Sequence, residues 1–296
     1  MTTTVTITGT GVPFPSPTRA GAGVLVRYDD VLLQVDVGRS TMTRHAQLGV
    51  LPGQLSALLV THLHSDHVAD LADLLLTRWV QDHLLHTGPL PMVMCGKRAQ
   101  QHVERLVDAY EYDIDVRVEH VQDHRPELAI TLIETPAEPT RVWTSPDATV
   151  TVDAVGVRHE PVEDAVGYRI TTPDGVVVVS GDTRVCDEVA ALAEGADLLV
   201  HEACRVTALA EAVRGTAFET IFSYHADTVA LGEQAQRLAV PHLALTHLIP
   251  APESEEQEAD FEADVRSGGY TGQLTVGRDL DTFTLERGQT VTVARP

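Results

Sequence analysis

Apolar positions along the chain fall into two periods, and the switch between them outlines the fold. Val5 to Thr8, Val24 to Arg27 and Val31 to Val35 alternate or run apolar over four or five residues, which predicts short strands. Gly9-Thr10-Gly11 and Asp36-Val37-Gly38 close two of them, and Asp29-Asp30 turns a hairpin. Leu55 to Val60, broken only by Ser56, reads as a buried strand. Val68, Leu71, Leu74, Leu75 and Trp79 then recur at helical spacing and predict a helix over 68–80. Met92 to Cys95 reads as a strand and Arg98 to Ala109 as a helix. Asp113 to Val157 reads as several antiparallel strands, broken at 123–126, 136–139 and 145–147. The second half repeats one theme: strand, polar tip, helix. A strand leads to His159. A hairpin, Ala165 to Ile170 with Val176 to Val179, ends at Ser180-Gly181-Asp182-Thr183, and a helix follows to about Glu194. Leu198 to Val200 ends at His201-Glu202. His225 opens a helix to about Leu238, and Leu243 to Leu245 ends at Thr246-His247. Residues 252–266 form an acidic amphipathic helix, and two or three strands finish the chain. Strands alternating with helices, with hairpins opening each half, predict an α/β (α+β) fold: two packed sheets with helices outside, a four-layer αββα sandwich. The polar tips all fall at strand ends, where such folds place sites.

Length and charge narrow the reading. The 296 residues suit one domain, 1–296. A lid or insert is expected within 83–150. Pro136 to Asp147, with Trp143, could form such a lid over the site; an edge hairpin is the plainer reading of the same stretch. The 43 acidic and 21 basic residues give a net charge of −22. Such a surface repels polyphosphate, so nucleic acid is set aside as a partner and a small-molecule ester is expected. Cys95, Cys186 and Cys204 lie far apart with no CxxC pair, which suggests reduced thiols and a cytoplasmic protein. Met1 to Thr10 reads as a strand and lacks the basic start and apolar core of a signal peptide. No apolar run reaches membrane-spanning length, so no membrane partner is expected.

The chemistry concentrates in Thr61-His62-Leu63-His64-Ser65-Asp66-His67. In an extended segment, side chains at i and i+2 project to one side, so His62 and His64 can grip one cation. Asp66 and His67, past the turn, can face a second. Neutral imidazoles with a carboxylate suit a borderline divalent metal: zinc is expected, with manganese or iron as alternatives.

The order of motifs resembles the metallo-β-lactamase superfamily over nearly the whole chain, in the phosphodiesterase branch typified by ribonuclease Z and its arylsulfatase-like relatives. The resemblance rests on Gly9-Thr10-Gly11 through Pro15-Ser16 to Arg19, and on the H-x-H-x-D-H run from His62 to His67. It extends through His159 ahead of Gly167-Tyr168-Arg169, Ser180 to Thr183, His201-Glu202-Ala203, His225, and Leu245 to His247. It implies two divalent metal ions. His62, His64 and His159 would hold the first, Asp66, His67 and His247 the second, and Asp182 would bridge them. A hydroxide shared by the metals would be the nucleophile, with Asp66 orienting it. Glu202 would orient His225, which would protonate the leaving oxygen. The alternative is that this pair only braces the metal loops. His201 is assigned to bracing.

Two departures bear on substrate. The short stretch from His159 to Asp182 leaves no room for the tRNA-gripping arm of ribonuclease Z. His225-Ala226-Asp227-Thr228 stands where that enzyme has His-Ser-Thr, and Asp227 adds negative charge there. The expected function is therefore a dinuclear metal-dependent hydrolase of a small ester, a phosphodiester or sulfate ester. A ribonuclease Z-type tRNA 3′-endonuclease and a lactonase are the alternatives. The opposing class is a non-catalytic or redox member of the fold. Histidine rather than glutamate at position 64, and a full set of seven ligand-type residues, argue for hydrolysis. A homodimer is the family habit. His45, His83, His86, His102, His120, His124 and His242 match no motif and read as structural or exposed.

Overall fold

The computed structural model describes residues 2–121 and 124–296. The expected start at Met1 and break at Asp123 lie outside the described residues. Strands β1 (Thr3–Gly9), β2 (Gly23–Tyr28), β3 (Val31–Val35), β4 (Ala57–Val60), β5 (Pro91–Cys95) and β6 (Ala129–Ile133) build most of a first sheet. Strands β7 (Thr140–Thr144), β8 (Thr151–Gly156), β9 (Val166–Thr172), β10 (Gly175–Val179), β11 (Leu198–Cys204), β12 (His242–Ile249) and β13 (Gln273–Val276) build the second. Strands β14 (Thr282–Leu285) and β15 (Thr292–Ala294) return to the first sheet beside β1. The helices are α1 (Thr41–Gln47), α2 (Ser65–Val68), α3 (Leu71–Leu85), α4 (Arg98–Asp108), α5 (Glu111–His120), α6 (Asp187–Ala193), α7 (Val206–Val213), α8 (Ala217–Phe222), α9 (Thr228–Arg237) and α10 (Glu255–Ser267).

Side chains alternate across a strand, so each strand feeds two cores. Val24, Val26, Leu33, Val35, Ala57 and Leu59 of the first sheet meet Val152, Ala154, Tyr168, Ile170, Val177 and Val200 of the second. Their neighbours Leu25, Leu32, Leu58, Val60, Met92 and Met94 face outward onto Leu71, Leu74 and Leu75 of α3 and Val103 of α4. On the far side Val178, Leu199, Leu243 and Leu245 pack on Leu192 of α6, Leu231 of α9 and Val265 of α10. These three apolar layers are the αββα sandwich that the alternation predicts. Each fully buried Leu or Val contributes roughly 1.5–3 kcal/mol, so the layers outweigh any single polar contact.

The parallel runs β3–β4–β5 and β10–β11–β12–β13 carry the strand ends that matter. Tyr168 reaches across the core, and its Oη donates to the Val60 carbonyl at 2.7 Å. The Val166 N–H donates to the Thr61 carbonyl at 3.0 Å. The sheets are thus tied together where β4 ends.

One stretch folds differently from the sequence pattern. Within 113–157, expected as antiparallel strands, Glu111–His120 is helix α5 and β6 pairs parallel with β5; only β7 and β8 run antiparallel there, and β8 pairs on with β9. Ile114-Asp115-Val116-Arg117-Val118 alternates with period two. Yet Ile114 is the residue α5 buries, Val116 stays 41% exposed, and Arg117 pairs with Asp113 one turn back. The alternation therefore had no sheet face to serve. Within Pro136 to Asp147, weighed as a lid or an edge hairpin, Thr140–Thr144 is the edge strand β7, with Val142 and Trp143 packed on the core between the sheets. Helices α7 and α8 were not anticipated. Val206, Leu209, Ala210 and Val213 recur at helical spacing in α7, although no residue of that helix is buried. No helix among the described residues is long and apolar enough to cross a membrane.

Candidate metal centre

The end of β4 delivers His62, and one turn of α2 delivers Asp66 and His67. The end of β10 delivers Asp182 through Gly181, which sits at φ +63°. A Cβ on Gly181 would meet the Val166 carbonyl at 2.8 Å and the Thr61 Cβ at 3.0 Å, so this crossing between the sheets requires glycine. His159 follows β8, and His247 lies in β12 at φ +43°, a left-handed backbone that non-glycine residues adopt at a cost and that clusters at functional sites.

These side chains converge. Ligand atoms of His62, His64, His159 and Asp182 lie within 4.8 Å of one another, as do those of Asp66, His67 and His247. Asp182 stands between the groups. Its Oδ1 is 3.2 Å from His67 Nε2, and its Oδ2 is 3.4 Å from His247 Nε2, 3.8 Å from His159 Nε2 and 3.9 Å from His62 Nε2. Asp66 Oδ2 lies 3.1 Å from His247 Nε2, and His64 Nδ1 lies 3.3 Å from His159 Nε2.

The hydrogen bonds behind these groups fix which nitrogen faces inward. Asp36 accepts from the Thr61 N–H at 2.7 Å, the Thr61 hydroxyl at 2.8 Å and His67 Nδ1–H at 2.8 Å. With its proton committed to Asp36, the Thr61 hydroxyl accepts from His62 Nδ1–H at 3.1 Å. One buried carboxylate therefore turns both Nε2 atoms toward the centre. His159 Nδ1–H donates to the Tyr224 carbonyl at 3.4 Å, again freeing Nε2. His45 Nε2–H donates to Gln34 at 2.7 Å, and the Gln34 amide donates to the Asp36 carbonyl at 2.6 Å.

Beside the cluster, Glu202 is fully buried. Its Oε1 accepts from Thr183 N–H and from His225 Nδ1–H, each at 2.7 Å, and its Oε2 accepts from Ala226 N–H at 3.2 Å. Glu202 thereby joins the Asp182 loop to His225. With Nδ1 engaged, Nε2 is the His225 nitrogen left to face the cluster, and a ligand atom of His225 lies within 4.8 Å of those of Asp182 and His247.

The residues fit a divalent cation. Among the described residues, the buried atoms His62 Nε2, His67 Nε2 and Asp182 Oδ1 have no hydrogen-bond partner. Unpartnered buried donors and acceptors of this kind cost about 1–3 kcal/mol each, and a cation would satisfy all three. Burial, with the neighbouring His67, pushes His62 well below its usual range, and burial also lowers His64 and His159. Neutral imidazoles are what a metal requires. Burial opposes charge on His67, but Asp182 and Asp36 outweigh it and hold that imidazole well above the ordinary value. Burial likewise opposes the Asp182 carboxylate, yet His247 and His67 hold it well below the ordinary value. Burial would lower His225, but Glu202, with a smaller contribution from Asp182, raises it to about 9.

All of the ligand-type residues expected from sequence, with Glu202 and His225, gather in this one place. His201 is buried and its Nδ1–H donates to the Glu202 carbonyl. Asp182 does not cap a helix, since α6 starts at Asp187 with Cys186 at its N-cap. Asp227, expected to add charge beside the leaving group, instead caps α9 and accepts from the Thr207 N–H and hydroxyl at 2.8 Å each. Sequence reasoning missed Asp36 and Tyr224. For Asp36 the available signal was a carboxylate closing a buried strand two residues before Gly38, whose Cβ would lie 2.1 Å from the Asp66 carbonyl.

A histidine–aspartate donor set at the converging strand ends of an αββα sandwich is a divalent-metal site, the hallmark of a class of metal-dependent hydrolases. Residues 35–248 match the model of the Beta-lactamase superfamily domain. Ribonuclease Z of Mycobacterium bovis (strain BCG / Pasteur 1173P2) is 36% identical over 263 residues, covering 88% of this chain and 90% of the relative. Among solved structures, the metallo-beta-lactamase fold protein YhfI from Bacillus subtilis superposes with a TM-score of 0.68 at 22% identity, over 96% of this chain and 100% of that one. Human tRNase Z, short form, superposes with a TM-score of 0.67 at 21% identity, over 94% and 98% of the two chains. The chain belongs to the metallo-β-lactamase superfamily, in its ribonuclease Z branch, and is a hydrolase.

These relatives correct the expectation that nucleic acid is excluded. A relative aligned over about nine-tenths of both chains is a ribonuclease. Net charge sums the whole surface and does not fix the potential inside one cleft.

Proposed function

We propose that this protein is a dinuclear metal-dependent phosphodiesterase acting on RNA, a ribonuclease Z-type endonuclease. The observation that carries the reading is the buried Glu202–His225 pair, 2.7 Å apart, at the edge of the Asp182-centred cluster. His62, His64 and His159 would hold one ion, Asp66, His67 and His247 the other, and Asp182 both; zinc suits this donor set. When bound, such ions supply a nucleophile at neutral pH and offset the charge that develops on the phosphoryl oxygens.

The chain's own groups do the rest. Asp36 and Thr61 hold His67 and His62 in the tautomers that turn Nε2 inward. Asp66 orients the attacking water. Glu202 keeps a proton on His225 Nδ1 and stabilises the imidazolium, so His225 Nε2–H can pass a proton to the leaving oxygen. The names of the relatives favour RNA over the small ester expected first. We also take residues 1–296 as one domain, because both sheets share one core and β14 and β15 return to the first sheet.

The test is cleavage of a precursor tRNA carrying a 3′ trailer, run beside an aryl phosphodiester, an aryl sulfate and a lactone, with and without chelator. Chelator-sensitive cleavage of the precursor is expected. Turnover of a small ester alone would overturn the RNA assignment and keep the hydrolase.

A further inference from the structure

Between β11 and His225 the chain leaves the sheet as α7 and α8. No residue of α7 is buried, and α8 buries only Phe222. The excursion is clasped at its base: Cys204 N–H donates to the Ala226 carbonyl at 2.7 Å, and Asp227 accepts from Thr207. It re-enters the molecule at Tyr224, inside the site. The Tyr224 ring is half-buried. Its centroid lies 5.4 Å from that of His159, nearly perpendicular at 84°, and 5.2 Å from that of His225 at 48°. The Tyr224 carbonyl accepts from His159 Nδ1–H at 3.4 Å, which ties the backbone that carries the ring to the cluster. Among the described residues its hydroxyl has no hydrogen-bond partner.

We propose that Tyr224 is a specificity-determining residue whose ring forms the wall against which a planar group on the substrate's leaving oxygen packs. The inference rests on the phosphodiesterase reading. If His225 protonates the leaving oxygen, the group attached to that oxygen must lie beside His225, and Tyr224 is in ring contact with it. A tyrosine face accepts any base or aryl ring, since stacking needs only a π-face. A purely structural Tyr224 would affect planar and non-planar substrates alike.

The test uses metal-loaded full-length protein and two phosphodiester mimics that cannot be hydrolysed because CH2 replaces the leaving oxygen: benzyl(methyl)phosphinic acid, standing for the phenyl ester, and cyclohexylmethyl(methyl)phosphinic acid, standing for the cyclohexyl ester. Calorimetry gives the affinity ratio of the two in wild type, Tyr224→Phe and Tyr224→Leu, with bound metal measured in each. Wild type and Tyr224→Phe should favour the benzyl compound by roughly tenfold, and Tyr224→Leu should lose that preference with its metal retained. An unchanged ratio in Tyr224→Leu, or equal weakening of both compounds, would overturn the proposal. A wild type that cleaves RNA yet shows no preference sinks Tyr224 alone. A wild type that binds neither compound and cleaves no phosphodiester sinks the underlying reading with it.

Discussion

Asp36 offers the sharpest test, because its carboxylate touches no proposed substrate group and acts only through Thr61 and His67. Asp36→Ala would strand three buried donors: the Thr61 N–H, the Thr61 hydroxyl and His67 Nδ1–H. At about 1–3 kcal/mol each, that approaches the whole stability of a domain, roughly 5–15 kcal/mol, and a failure to fold would teach nothing. Asp36→Asn is the informative change. An amide offers one acceptor oxygen where the carboxylate offers two. Whichever way it turns, its NH2 faces either Thr61 or His67 Nδ1–H, donor against donor. The relief open to His67 is to move its proton to Nε2, the atom 3.2 Å from Asp182. A protonated Nε2 cannot bind metal. The expected cost is about 1–3 kcal/mol in folding and 10- to 100-fold in metal affinity. Urea unfolding of the apo protein reads the first, and competition against a chromogenic chelator reads the second. Wild-type metal affinity in Asp36→Asn would refute the reasoning.

Four further outcomes follow from the same geometry. Asp182→Ala should lose both ions or most activity, as measured by metal content and RNA cleavage; two ions with full activity would rule out bridging. Glu202→Gln should keep its metal and slow turnover more for poor leaving groups than for good ones, and equal slowing would argue against a general-acid pair. Burial holds His45 down at about 4, while the unfolded chain takes up that proton near pH 6.5. Stability of chelated protein should therefore fall from pH 6.5 to 4 by up to about 3 kcal/mol from this residue, and urea titrations of His45→Gln should show that much less slope. RNA affinity should fall only shallowly with salt, with a log–log slope of about −2; a slope steeper than about −5 would reveal a basic face.

The layers were legible because each strand's alternation has a real apolar partner on both sides. The run from His62 to His67 was legible because its donors are neighbours in sequence. His159, Asp182 and His247 carry no local signal, and only the order of motifs picked them out. Asp36 was illegible for a physical reason: its function is defined by Thr61 and His67, which the fold brings to it from the next strand and helix. Tyr224 is similar, since its meaning comes from the His159 ring. Helix α5 was misread because period two marks a strand only where a sheet face exists to bury it.

The charge argument failed for a related reason. The net −22 is a sum over the whole chain and carries no information on where the unpaired carboxylates lie relative to the cleft. Some acids are locally neutralised: Glu258 pairs with Arg19 and Arg278, Asp260 and Asp264 pair with Arg205, and Asp279 pairs with Arg44. At the centre itself the described carboxylates are Asp66, Asp182 and the enclosed Asp36 and Glu202, set among six imidazoles. On the proposed reading, each divalent ion would bring two positive charges to that point, in a buried setting where screening is weak. A phosphodiester approaching the cleft would then meet a field set by the ions and the imidazoles, whatever the sign of the surface behind it. Global charge would govern how fast and how widely RNA associates, and the local donor set whether it is cut.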